Sequence, residues 1–66
     1  MKNSIRVERA ILDITQEELA QRVGVTRQAI HAVEKGKYVP SAVLAMKIAK
    51  VFGKKVEDIF LLEETD

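Results

Sequence analysis

The apolar positions recur at helical spacing in five short stretches, and each stretch is punctuated by a capping residue or a glycine. The first stretch, about residues 5–13, follows Ser4 as N-cap. Ile5 and Leu12, with Val7 and Ile11 as further candidates, supply its inner face, and Glu8 is close enough to the first turn to favour the helix dipole. Thr15-Gln16-Glu17-Glu18 then reads as a capping box, with Ile14 placed to staple onto Leu19. It opens a helix over 16–23 whose inward residues are Leu19, Ala20 and Val23, closed by Gly24. Thr26 caps a third helix, 27–35, with Ala29, Ile30 and Val33 inward and Gly36 as its stop. Pro40 disfavours helix at Val39, so 37–40 is a connector. Ser41 caps a fourth helix, 42–52, with Leu44, Ile48, Val51 and Phe52 inward and Gly53 beyond its end. A fifth helix or turn over 56–61 contributes Val56, Ile59 and Phe60. Strand signals are weak, with no Asn-Gly or Asp-Gly turn, so the pattern predicts an all-α fold.

Composition narrows how such a chain is held together. Its 66 residues make one domain, 1–66, and a chain of that length buries only about 60% of its unfolded surface. There is no cysteine and His31 is the lone histidine, so neither a disulfide framework nor a metal staple is expected, and no metal or cofactor is implied. Helix packing, helped by dimerisation, is what remains. No apolar run approaches the roughly 20 residues that span a bilayer. Met-Lys-Asn-Ser at the start carries no long apolar stretch, and the expectation is a cytoplasmic protein with no membrane partner.

The net charge of +1 conceals an asymmetry. Between Arg22 and Lys55 eight basic residues stand against one acid, Glu34, whereas the last eleven residues carry five acids and no base. A basic block beside an acidic tail suits a polyanionic partner, although a solvated surface with uneven patterning reads the same way.

The unit that carries function is Thr15 to Gly36. Two short capped helices meet at a tight turn containing Gly24, with small Ala20 allowing close approach, so the first braces the second and the second protrudes. Burying Ile30 and Val33 leaves Arg27, Gln28, His31, Ala32 and Lys35 outward. Glutamine pairs bidentately with adenine and arginine with guanine, an alanine methyl packs on thymine, and the first turn of a recognition helix is the part that reaches base edges. Gln16, Thr26, Lys35, Lys37 and Tyr38 surround that face as candidates for phosphate contact, joined by the helix N-termini at Gln16 and Arg27. Each has a plainer reading: Thr26 as a cap, Arg27 and Gln28 as solvated helix residues, Tyr38 as cover for the core edge, and His31 as an inert surface residue.

These residues resemble the Cro/C1-type (XRE) helix-turn-helix family. The likeness runs through Thr15-Gln16-Glu17-Glu18-Leu19-Ala20, Val23-Gly24-Val25-Thr26-Arg27-Gln28-Ala29-Ile30, Glu34-Lys35-Gly36-Lys37-Tyr38 and Pro40-Ser41, and on through Ile48 to Phe52 and Val56 to Phe60. It implies a compact five-helix, lambda-repressor-like DNA-binding fold with its motif at 16–35. It also implies a transcriptional regulator, expected to be a repressor, that binds a palindromic operator in double-stranded DNA as a homodimer. By the same resemblance Gln16 opens the second helix and holds a phosphate, Thr26, Arg27 and Gln28 begin the recognition helix, and Lys35-Gly36-Lys37 forms a phosphate-contacting turn, with Lys35 in place of the usual asparagine. Arg9 and Glu34 correspond to a structural ion pair and stand outside the DNA site. Glu8 replaces an apolar or aromatic residue common in the family. Val43 stands where a polar residue is common, so Val43 and Met46, with Phe60, Leu61 and Leu62 from the tail, are expected to form the dimer seam. A protein-interaction module on the same fold, antitoxin-like or adaptor, is the alternative. An enzyme is disfavoured, because no nucleophile–base pair or phosphate loop is present and catalytic residues cannot be named.

Overall fold

The local signals that start and stop helices are satisfied almost everywhere in the computed structural model, which describes residues 1–66. Five helices form: α1 (Ile5–Leu12), α2 (Gln16–Val23), α3 (Arg27–Glu34), α4 (Ala42–Phe52) and α5 (Val56–Ile59). Thr15 Oγ1 accepts the Glu18 amide at 3.0 Å, and the Glu18 carboxylate reaches back to the Thr15 amide, completing the capping box. Thr26 Oγ1 accepts from the Ala29 amide at 3.1 Å and Ser41 Oγ from the Leu44 amide at 3.2 Å, so each hydroxyl satisfies a first-turn amide that has no helical acceptor. Gly24 takes φ +74° and returns the chain from α2 towards α3 within two residues.

Two flanking segments differ from the helical pattern. Lys2–Asn3 (β1) and Phe60–Leu61 (β2) pair antiparallel, Lys2 opposite Leu61 and Asn3 opposite Phe60. The fifth helix therefore ends at Ile59, and residues 60–61 belong to a small sheet that sews the two ends of the chain together. The fold remains mostly helical, with this two-stranded addition.

Thirteen apolar residues from α1, α2, α3, α4, α5, β2 and the turn at Ile14 make one core, in which Ile5, Leu19, Ile30, Val33, Ile48 and Ile59 are the largest fully buried side chains. Ala45 and Ala49 join Leu44 and Ile48 on the inner face of α4, where their small size lets α2 pack closely, while Val51 and Phe52 are only partly buried.

The face of α1 is rotated from the expected one. Ile5 is buried, but Val7, Ile11 and Leu12 are exposed, and the residue that turns inward with Ile5 is Glu8. Glu8 does not act chiefly at the helix dipole. Its Oε2 accepts from Lys54 Nζ at 2.8 Å, tying α1 to the turn between α4 and α5 and neutralising a carboxylate that burial would otherwise penalise. Ser4 occupies the N-cap position without capping by its side chain, and its Oγ has no partner. Asn3 does the work instead: its Oδ1 accepts from the Ile5 amide at 3.2 Å, and its Nδ2 donates to the Val33 carbonyl at 2.8 Å, linking the first helix to the third. Asp13 ends α1 one residue early by adopting φ +56°, a conformation that aspartate tolerates better than most side chains.

Candidate nucleic-acid interface

Helix α3 is fixed from behind. Ile30 and Val33 are completely or almost completely buried, and α2 packs across it, so the opposite side of the helix is presented rigidly. Arg27, Gln28 and His31 are exposed there, with Ala32 half-buried beside them. The amides of Arg27 and Gln28 have no acceptor within the protein, and neither do those of Gln16 and Glu17 at the start of α2. Two helix N-termini thus offer free N–H groups of the kind that hold phosphate oxygens.

The turn after α3 is built by Gly36. Its φ of +75° is left-handed, and it allows the Gly36 amide to reach the Val33 carbonyl and the Lys37 amide to reach the Ala32 carbonyl, both at 3.0 Å. A Cβ there would also lie 3.5 Å from the Met1 carbonyl oxygen. Lys35, which closes α3 with helical φ and ψ, and Lys37 are both exposed, so the turn presents ammonium groups on either side of a backbone bend. Tyr38 follows, half exposed.

A polar network sits between α1, the start of α2 and α3. Arg9 grips Glu34 with its guanidinium fork, Nε to Oε1 at 2.6 Å and an Nη to Oε2 at 3.4 Å, and gives a further hydrogen bond to the Ile14 carbonyl at 3.1 Å. This is the ion pair that the family resemblance implies, and both partners are mostly buried. Gln16 Nε2 donates to Glu34 Oε2 and also lies 3.3 Å from His31 Nδ1. With the imidazole proton on Nε2, Nδ1 accepts from Gln16, and the His31 Nε2–H remains as a donor. Both Gln16 amide protons are then engaged inside the protein. In that tautomer its side chain orients His31 on α3, while its backbone amide stays free.

The structure thus brings Gln16, Thr26, Arg27, Gln28, His31 and Ala32 together around the exposed side of α3, with Lys35, Lys37 and Tyr38 following along the turn. The seam residues do not behave as a group. Val43, Met46, Leu61 and Leu62 are exposed, but Phe60 is buried, because β2 turns its ring into the core while its neighbour Leu61 points out. Phe60 is therefore a core residue and is withdrawn from the seam. The Gln16–His31 contact had no signal in the pattern of residues, since it depends on the crossing of two helices fifteen positions apart in the chain.

This architecture, a braced helix with a polar exposed side and free amides at both helix starts, defines a class. A helix-turn-helix family model matches residues 5–59. The chain belongs to that family, of the XRE type, and is a helix-turn-helix transcriptional regulator that binds DNA. It is 56% identical to an uncharacterized HTH-type transcriptional regulator of Methanocaldococcus jannaschii over 66 residues, covering 100% of both chains. It is 55% identical over 64 residues to the uncharacterized HTH-type transcriptional regulator YgzD of Bacillus subtilis, covering 97% of each chain. A further regulator of this description, from Methanothermobacter thermautotrophicus, is 57% identical over 65 residues, covering 97% of this chain and 94% of its own. No helix is long and apolar enough to cross a membrane.

Proposed function

We propose that residues 1–66 act as one sequence-specific DNA-binding domain, a cytoplasmic repressor that places α3 in the major groove of a palindromic operator as a homodimer. The observation that supports it most is the division of α3: Ile30 and Val33 lock one side into the core, and Arg27, Gln28 and His31 are left on the other. In this reading Gln28 and Arg27 pair with base edges, and His31 and Ala32 extend the reading surface. Thr26, the free amides of Gln16 and Arg27, Lys35, Lys37 and Tyr38 hold phosphates on either side. The Gln16 side chain, held by Glu34, positions His31.

In this reading the two recognition helices of the dimer stand ~34 Å apart, the spacing of successive major grooves. The seam of that proposed dimer narrows to Leu61 and Leu62 beside the free edge of β2, because Val43 and Met46, also expected in it, stand among Lys47 and Lys50 on α4, where a second copy would meet like charge. Binding of a random-sequence duplex against ionic strength tests the reading. Affinity falling steeply with salt supports it, and salt-independent or absent binding favours the adaptor alternative.

A further inference from the structure

The basic residues of the 22–55 block fall into two groups. Arg27, Lys35 and Lys37 lie on α3 and its turn, whereas the other five line two adjoining depressions along α4. The larger, about 810 Å³, lies between α4 and the start of α5. Val43, Met46, Ala49 and Val56 contribute its apolar surface, and Lys47, Lys50 and Lys55 stand around it in no salt bridge, against one carboxylate in the lining, Glu57, so the rim stays net positive. Lys54 also lines it but is already paired with Glu8. Val43 and Met46 are 62% and 63% exposed, one turn apart on a helix whose other face is core; Val7 and Ile11 on α1 are as exposed, but only the α4 pair lines a depression with several lysines.

We propose that this groove docks an acidic amphipathic helix of a partner protein, with its apolar side chains on Val43, Met46 and Val56 and its carboxylates on Lys47, Lys50 and Lys55. Charge complementarity selects the occupant. An apolar surface inside a lysine rim matches a helix with one apolar stripe flanked by Glu or Asp, and α4, at 11 residues, spans about three turns of such a helix. A duplex offers phosphates to the lysines but nothing to Val43 and Met46. A second copy meeting the groove across a two-fold axis would set lysines against lysines. The acidic tail of this chain is poorly placed to fill it, since Glu63 and Asp66 are held by the Met1 ammonium, each at 3.0 Å. The groove is built on α4 and α5, outside the reading surface of α3, so the inference goes beyond DNA binding and stands separately from it.

The test uses the full chain and a synthetic N-acetylated, C-amidated peptide of roughly 15 residues, with leucine at i, i+4, i+7 and i+11 and glutamate at most other positions. Its counterpart carries glutamine for glutamate. Backbone amide shifts in NMR and fluorescence anisotropy report binding. The expected result is that the acidic peptide shifts residues of α4 and α5. Lys47→Gln with Lys50→Gln weakens its binding by about fivefold, and Met46→Gln does the same, while the glutamine peptide binds more weakly than the acidic one. Thermal unfolding of these variants stays near that of the parent, because the substituted side chains are exposed. The proposal is overturned if the acidic peptide does not bind, if the glutamine peptide binds equally, or if the variants bind the acidic peptide like the parent. It is overturned too if random duplex DNA displaces the peptide in direct competition, which assigns the lysines to DNA. Sedimentation in which Met46→Gln disrupts self-association overturns it as well, since that makes the groove an interface between copies.

Discussion

At the residue scale, Glu34 is the pivot of the proposed interface. It receives the Arg9 fork on one side and the Gln16 amide on the other, and through Gln16 it orients His31. Glu34→Ala leaves Arg9 mostly buried without its partner, so a loss of about 2–4 kcal/mol is expected in denaturant unfolding, measured by circular dichroism. The Arg9–Glu34 pair was legible in the sequence through its place in a family pattern. The Gln16–His31 contact was not, because it is set by the crossing of α2 and α3. Readers and clamps should separate in binding experiments. Gln28→Ala is expected to relax preference at one base pair by about 1–3 kcal/mol. Lys37→Ala should weaken all duplexes alike and lower the salt slope by about 1. Titrations with sets of single-base operator variants at several salt concentrations distinguish the two, and equal effects of both substitutions on every duplex would remove Gln28 from the reading surface.

At the element scale, the helices were legible because their ends carry chemistry that acts locally. Thr15, Thr26 and Ser41 each accept the expected first-turn amide, and Gly24 and Gly36 take the left-handed conformation that their places demand. Gly24→Ala meets no atom within 4 Å, so its cost is the strain of the positive φ alone, about 1 kcal/mol, read from the shift in denaturation midpoint. What escaped were features fixed by long-range pairing. A two-residue strand has no periodicity to detect, and the partner of Leu61 is Lys2, at the other end of the chain. The same sheet draws in Asn3, which takes over the capping that Ser4 was expected to do. Hydrophobicity alone favours Leu12, Val7 and Ile11 for the inner face of α1 beside Ile5, but all three are exposed, whereas Lys54 stands ready to pair with a carboxylate at position 8. Phe60→Ala measures the hold of β2 on the core. Removing its buried ring is expected to cost about 3–5 kcal/mol, enough to unfold much of a domain this small at ambient temperature.

At the scale of the whole molecule, the two ends are closed by charge as well as by the sheet. Hydrogen bonds donated by the Met1 ammonium to the Glu63 and then the Asp66 carboxylate raise it above its ordinary value of 8.0, opposed in part by desolvation. The Glu63 backbone amide, and then the Met1 ammonium, hold Asp66 below its ordinary 3.8. The contribution of the amine is complete below pH 8.0 and is lost as pH rises through its raised value, whereas that of Asp66 is complete above pH 3.8 and is lost as pH falls through its lowered value. Both groups are solvent-facing, so the effect is small. NMR titration should show the amine titrating above 8.0 in the folded chain, and Asp66→Asn should bring it back towards that value.

The same scale carries the central claim, that two rigidly held α3 helices read DNA sequence together. Repeated selection of bound sites from a random duplex pool, run in parallel with the parent and Gln28→Ala, addresses it most directly. The account predicts an enriched palindrome with half-site centres about 10–11 base pairs apart, and loss of preference at one symmetric pair of positions in the variant. A pool that stays random, or a motif identical for parent and variant, would contradict it.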